Sequence, residues 1–196
     1  VDGCEQDPAR SARENVDTVR NVVRATKGSN ARIVFYSTDH VFDGHQSSAY
    51  VESDATHPLS VYARHKREAE VALLERGHAL IARTAWVFGS EARRKNFMYR
   101  VISAARSGET LRVPIGQAGN PTFARWLADA TLDLLGTAGN AFSALGLVHL
   151  TGSETLTKAE WARFLVSALG LPPLEVLEVP WFEAGQIAPR PASVAL

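Results

Sequence analysis

Ser37-Thr38-Asp39-His40-Val41-Phe42-Asp43-Gly44, followed after a loop by Tyr62-Ala63-Arg64-His65-Lys66, decides how the chain reads. The hydroxyls of Ser37 and Thr38 follow Arg32-Ile33-Val34-Phe35-Tyr36. That short, mostly apolar, β-branched and aromatic run predicts a strand buried on both faces in a parallel sheet. Ser60 predicts the N-cap of a helix reaching about residue 76. Tyr62 and Lys66 stand four residues apart on it, so their side chains share one face. Residues 38–59, with Gly44, Ser47, Ser48 and Pro58, predict a long loop between the two elements. Loops of such length are usually functional.

Outward from this stretch, Pro8 and the stripe of Ala12, Val16, Val19, Val22 and Val23 predict a helix over 8–27, stopped by Gly28-Ser29-Asn30. Residues 79–84 (Ala-Leu-Ile-Ala-Arg-Thr) predict the next strand, leading into Ala85-Trp86-Val87-Phe88-Gly89. Strand and helix therefore alternate through Thr84, which argues for an α/β fold with a parallel sheet and crossover helices. Beyond Gly89 the pattern becomes mixed. Helices are predicted over 96–107 and 123–135, strands over 111–115, 147–150 and 174–179. A capping box, Thr157-Lys158-Ala159-Glu160, opens a helix that ends near Gly170. A second, smaller lobe is expected there, intertwined with the first, with a division at residues 1–90 and 91–196. Ligands of parallel sheets lie at the carboxyl ends of the strands. Here those ends are residues 36–39 and 84–88, where the unusual side chains cluster.

Composition narrows the function. Lys+Arg and Asp+Glu are equal at 21 each. A neutral chain without a long basic run offers no electrostatic case for binding nucleic acid or a membrane surface. No apolar stretch approaches the ~20 residues of a membrane span. The one cysteine, Cys4, excludes an internal disulfide and a Cys-rich metal site. It fits a reducing compartment, so a cytoplasmic location is the expectation. A homodimer is a partner arrangement that the sequence leaves open.

Carbonyl reduction needs a hydride donor, a proton donor and a hydrogen bond to the oxygen on which charge develops. Tyr62 suits the proton donor. Its unperturbed pKa is about 10, and a neighbouring Lys66 ammonium is expected to lower it. Lys66 also has donors for the ribose hydroxyls of a nucleotide. Thr38, or Ser37, suits the hydrogen bond to the carbonyl. No side chain is a hydride donor, so a nicotinamide must supply it.

These residues resemble the extended short-chain dehydrogenase/reductase superfamily and, within it, the dTDP-4-dehydrorhamnose reductase family. That family shows Ser-Thr-Asp-Tyr-Val-Phe-Asp-Gly, an acidic Tyr-x-Glu-x-Asp stretch, and Pro before Tyr-Gly-x-(Ser/Thr)-Lys. The chain has Ser37 to Gly44, then Tyr50-Val51-Glu52-Ser53-Asp54, Pro58, and Tyr62 to Lys66. Val1-Asp2, Glu5, Pro8 and Asn15 are similar to the family's Val-Asp-x-x-Glu-x-x-Pro stretch and its following Asn. Arg83-Thr84-Ala85-Trp86-Val87-Phe88-Gly89, Asn96-Phe97, Gln117 to Thr122, His149 to Gly152 and Arg190-Pro191 follow in the family's order.

The resemblance implies a Rossmann-like sheet, with residues 1–90 as the C-terminal part of an NAD(P)-binding domain and residues 91–196 as the substrate-binding lobe. It implies Thr38, Tyr62 and Lys66 as the catalytic set, with Tyr62 as acid. Tyr36, Ser37, Tyr62 and Lys66 would meet the cofactor, NADPH or NADH, and Thr38, Asp39 and Trp86 the nucleotide sugar. The implied reaction is reduction at C4 of a nucleoside-diphosphate 4-keto-6-deoxy sugar. His40, Ala63, His65, Gly116 and Ser193-Val194 depart from the pattern. These departures leave the catalytic set intact and the identity of the sugar open. No Gly-x-x-Gly-x-x-Gly follows a first strand. A cofactor cradle of two βαβ units would take roughly 60 residues, so the chain is expected to be an internal portion of a longer protein that, alone, binds nicotinamide weakly.

Rival expectations are an epimerase or dehydratase of the same superfamily, and a non-catalytic nucleotide-binding regulatory subunit. Asp39 has an alternative role as a cap of the following turn, and Trp86 as a core plug. His40 and His65 lack partners at ligand spacing, so no metal is expected. Asp2, Glu5 and Asp7 read as a solvated acidic cluster, Trp126 and Trp161 as core, and Cys4 as unreactive.

Overall fold

The computed structural model describes residues 1–138 and 146–196. The chain opens with α1 (Asp2–Gln6) and α2 (Pro8–Ala12), and passes through a π-turn at Arg13–Asp17 into α3 (Thr18–Ala25). The helix expected over 8–27 is thus present but widened at its centre, where the Thr18 hydroxyl donates to the Arg13 carbonyl at 3.1 Å. Then come β1 (Ile33–Thr38), a 3-10 turn at Asp39–Val41, α4 (Val61–Arg76), β2 (Ala79–Thr84) and β3 (Val87–Phe88). α5 (Phe97–Ser107), β4 (Leu111–Pro114), β5 (Ala118–Gly119), β6 (Thr122–Phe123), α6 (Ala124–Ala138), β7 (Leu147–His149), β8 (Leu156–Thr157), α7 (Lys158–Ala168) and β9 (Val176–Val179) complete it.

The central sheet has the order β1-β2-β7, all parallel, with Thr38 opposite Thr84 and Arg83 opposite His149. β7 comes from the second half of the sequence, so the two halves share one sheet. Smaller pairs surround it: β3 with β6 and β4 with β9, both parallel, and β5 with β8, antiparallel. Among the described residues, no helix is long and apolar enough to cross a membrane.

β2 is buried along its whole length, as a central parallel strand should be. β1 is not. It is an edge of the described sheet, Ile33 to Phe35 are half-buried and Tyr36 is 40% exposed, so the expectation of burial on both faces fails there. Leu73 of α4 packs on Ala79 and Ile81 with Val19, Val23 and Phe35. Val22, expected in that stripe, is exposed. A second core joins α5, β4 and α7 around Val101, Val113 and Trp161. Trp161 is core, as expected, whereas Trp126 is 43% exposed on α6, so its apolar spacing did not signal burial.

The loop after β1 is held by the C-terminal segment. Phe42 stacks on Tyr50 with ring centroids 4.2 Å apart, Val194 closes the cluster, and the Tyr50 N–H donates to the Ala195 carbonyl at 2.8 Å. Gly44 has φ +78°, and a Cβ there would stand 2.9 Å from the Ala192 nitrogen and Pro191 Cβ. Only glycine accepts both that dihedral and that approach. The acidic stretch closes the loop: Asp54 accepts from the Val51 N–H at 2.9 Å and Glu52 from the His149 N–H at 2.7 Å.

Candidate active site

Thr38 is the last residue of β1, and its hydroxyl accepts from the His40 N–H at 3.2 Å, capping the 3-10 turn. The same hydroxyl donates to the Asp39 carboxylate at 3.0 Å. Capping by Thr38 leaves Asp39 without that task. Asp39 is buried and lines the cleft beside Tyr62. Ser60 caps α4 as expected, accepting from the Ala63 N–H at 3.2 Å. Glu5 adds a second cap, accepting from the Val61 N–H at 2.9 Å. The first turn of α4 is thereby fixed, and it carries Tyr62 into the cleft that Thr38 and Asp39 also line. Burial and the Asp39 carboxylate push the Tyr62 phenol up to about 12, against a smaller lowering by the Thr38 hydrogen bond.

The Tyr62 phenol is raised, burial first and Asp39 second, so the lowering expected from a neighbouring Lys66 does not prevail. The Lys66 ammonium donates to the Tyr36 carbonyl at 2.7 Å and lies 4.3 Å from the centre of the Phe35 ring. Burial lowers the Lys66 pKa, partly offset by Glu70. Tyr62 is instead faced by Asp39 and by His40, whose ring stands edge-on at 6.1 Å between centroids. Burial holds His40 below the usual histidine value, which outweighs the Asp39 carboxylate. His65 is occupied elsewhere, its Nδ1 at 2.8 Å from the Ser11 hydroxyl.

Behind these residues lies a buried ionic network. Glu70 of α4 is wholly buried and takes two hydrogen bonds from Arg83 of β2, at 3.0 and 2.9 Å, and one from the Ser37 hydroxyl at 2.5 Å. A bidentate, charge-assisted pair is directional. It locks the helix that carries Tyr62 against the strand ends that carry Thr38.

The opposite wall is built by the C-terminal lobe. Trp86 follows β2 with φ +41°, the left-handed region that bulky residues avoid. A Cβ on Gly119 would lie 2.8 Å from the Trp86 ring, so Gly119 makes room for the indole. Trp161 stacks near Trp86 at 5.5 Å between centroids, and the Lys158 ammonium sits 3.1 Å from the centre of the Trp86 ring. Lys158 is the first residue of α7, after the capping box that Thr157 and Glu160 form as expected. Arg190 pairs with Asp2 at 2.7 Å, and Asp2 also accepts from the Ile187 and Ala188 N–H groups. Burial of Asp2, which alone raises its pKa, is outweighed by these partners. Asp2 and Glu5 are therefore structural acceptors, not the solvated cluster expected from sequence.

The walls enclose a cleft of about 370 Å³, lined among others by Thr38, Asp39, Tyr62, Trp86, Lys158 and Arg190. Ser37 also lines it, whereas Tyr36 of β1 and Lys66 of α4 do not: Lys66 is held to the Tyr36 carbonyl, and the Tyr36 hydroxyl donates to Thr131 at 3.0 Å. Sequence reasoning missed Lys158, Gln117 and the Glu70–Arg83 pair. For Lys158 the only signal was its place at a capped helix start. For Glu70 it was a position four residues after Lys66, on the same helix face.

A parallel sheet with a Tyr-x-x-x-Lys helix against a strand-end threonine, closed by a mixed lobe, defines a Rossmann-like fold of the extended short-chain dehydrogenase/reductase type. The family model for the RmlD substrate binding domain matches residues 1–196, and the chain belongs to that family. It is 39% identical over 159 residues to the dTDP-4-dehydrorhamnose reductase of Burkholderia thailandensis, covering 78% of this chain and 52% of that relative. Among solved structures, a hypothetical dTDP-4-dehydrorhamnose reductase from Sulfolobus tokodaii superposes with a TM-score of 0.87 at 33% identity, over 100% of this chain and 66% of that one. The dTDP-4-dehydrorhamnose reductase of Bacillus anthracis in complex with NADP gives 0.90 at 27% identity, over 100% of this chain and 67% of that one. The chain spans about half the length of the curated relatives it matches.

Proposed function

We propose that the chain carries the proton chemistry and substrate wall of an NAD(P)H-dependent oxidoreductase. It reduces the C4 keto group of a nucleoside-diphosphate 4-keto-6-deoxy sugar, as in the dTDP-4-dehydrorhamnose reductase reaction of dTDP-rhamnose synthesis. The observation that supports this most directly is that Thr38, Asp39, Tyr62 and Trp86 line one cleft. Residues 1–90 serve as the C-terminal part of the cofactor-binding half, and residues 91–196 as the substrate lobe. The protein works in the cytoplasm, and a homodimer is its simplest assembly.

The residues present fit a nicotinamide cofactor. Lys66 spends one of its three N–H groups on the Tyr36 carbonyl, leaving two that suit ribose hydroxyls. Tyr36 and Ser37 end the edge strand beside it. Bound NAD(P)H supplies the hydride. Tyr62, kept as a neutral phenol by burial and Asp39, gives its proton to the substrate oxygen. Thr38 turns its hydroxyl from Asp39 to that oxygen as charge develops. Asp39 and Trp86 orient the sugar. The reductase reading is favoured over an epimerase or dehydratase because the relatives at 32–39% identity carry the reductase name, whereas epimerase and dehydratase structures match at 18–20% identity, which speaks to fold alone. NADPH oxidation by the full-length protein, with a panel of nucleotide-linked 4-keto sugars, tests it. Turnover with at least one member is expected, and turnover with none would overturn it.

A further inference from the structure

Among the described residues the Lys158 side chain has no anion paired with it. Its ammonium is caged by Trp86, Phe97 and Trp161, at 3.1, 4.7 and 4.9 Å from the ring centres. Among the described residues it makes no salt bridge. The acidic group nearest in effect, Asp39, already accepts from Thr38. Arg190 and Arg100 add positive potential at the same place, and Arg190 is the one matched by Asp2. Burial lowers the Lys158 pKa well below the ordinary lysine value, so its charged form gains from an anion brought into the cleft. The cage fixes the position of the ammonium: the aromatic faces steady it, and the Lys158 N–H donates to the Gln117 carbonyl at 3.2 Å, tying the helix start to β5.

We propose that Lys158 binds the diphosphate of the nucleotide sugar and so sets the position of the sugar against Tyr62. This rests on the reductase reading above. The formal charge of such a substrate lies on its diphosphate, and an ammonium in a partly apolar cleft gains most from an anion. Thr38, Tyr62 and Lys158 line the same cleft, Lys158 with the Trp86 side of it. A ligand whose C4 oxygen reaches Tyr62 extends its diphosphate toward Lys158. The aromatic cage then keeps water from competing for the ion pair.

The test measures calorimetric affinity of the full-length protein for dTDP and for thymidine, in wild type, Lys158→Met and Lys158→Arg, beside steady-state kinetics and melting temperature. In Lys158→Met, dTDP affinity is expected to fall about tenfold or more, the scale of a charge-assisted hydrogen bond. Thymidine affinity should hold, and KM should rise by more than kcat falls. Lys158→Arg should recover part of the dTDP affinity. The melting temperature of Lys158→Met should stay level or rise, because a desolvated charge is removed. Equal dTDP affinity in wild type and Lys158→Met, or a matched loss for dTDP and thymidine, would overturn the inference. Wild type that binds dTDP through Lys158 but reduces no 4-keto sugar would overturn the reductase reading alone.

Discussion

The two walls of the cleft are built in opposite ways. The wall of Thr38, Asp39 and Tyr62 hangs on local structure: a strand end, a 3-10 turn and a capped helix start. Thr38 and Ser60 cap their own turns, and long-range contacts complete the frame: Glu5 caps α4, and Glu70 joins the helix to Arg83 and Ser37 of the sheet. The wall of Trp86 and Lys158 has a local frame only at the capped start of α7. It is a stack of aromatic rings from β2's end, α5 and α7, with a lysine pressed into it. Reacting groups need fixed directions, which hydrogen bonds supply. A wall that grips the nonreacting part of a ligand can rely on shape and charge.

If that division holds, the first wall should break activity and the second should shift affinity. The largest effect is expected for Tyr62→Phe, which removes the proton donor and should lower kcat by roughly 10²–10⁴-fold. An undiminished rate would remove Tyr62 from the chemistry. Glu70→Ala strips Arg83 and Ser37 of their shared acceptor and should cost about 3–5 kcal/mol in urea unfolding, as breaking a buried pair does. The double replacement Glu70→Leu with Arg83→Met should recover most of that loss. Failure to do so would mean that shape, not charge, joins α4 to the sheet. Gly119→Ala pushes a methyl against the Trp86 ring and should cost about 1–3 kcal/mol. Tryptophan fluorescence should shift, and an unchanged spectrum would place the indole elsewhere. Thr157→Ala removes half the capping box of α7 and should cost about 1 kcal/mol, read by thermal melting.

The pH response separates the walls further. Burial, with Asp39 beside it, pushes the Tyr62 phenol up to about 12, above the ordinary tyrosine range. The stability that Tyr62 contributes is complete below the unfolded value and is lost as pH rises through the folded one. Reduction should therefore show no decline assignable to Tyr62 below the ordinary tyrosine range. A decline with a midpoint near neutrality, absent in Tyr62→Phe, would show that Lys66 does act on the phenol.

Much of the first wall was legible in the chain. Ser60 capping, the Tyr62 to Lys66 spacing and the end of β1 at Thr38 are local properties, set by side-chain chemistry within one or two turns. The second wall was not, because Trp86, Phe97, Gly119 and Lys158 meet only through packing. Trp126 and Trp161 show the same limit: both sit on helices with apolar spacing, yet one is exposed and the other is core. The expected lowering of the Tyr62 pKa by Lys66 was out of reach for a related reason. Spacing places Tyr62 and Lys66 on one face, but the carbonyl at Tyr36 and the ring of Phe35 decide where the ammonium rests.

By itself the sequence determined the α/β alternation, the helix and strand ends, and the chemical groups available for proton transfer, because hydrogen-bond capping and hydrophobic period act over short distances. The tertiary structure alone decided that burial, with Asp39 beside it, raises the Tyr62 phenol, and that Lys158 lies in an aromatic cage lining the same cleft. Those outcomes depend on burial and on charges brought together from distant parts of the chain.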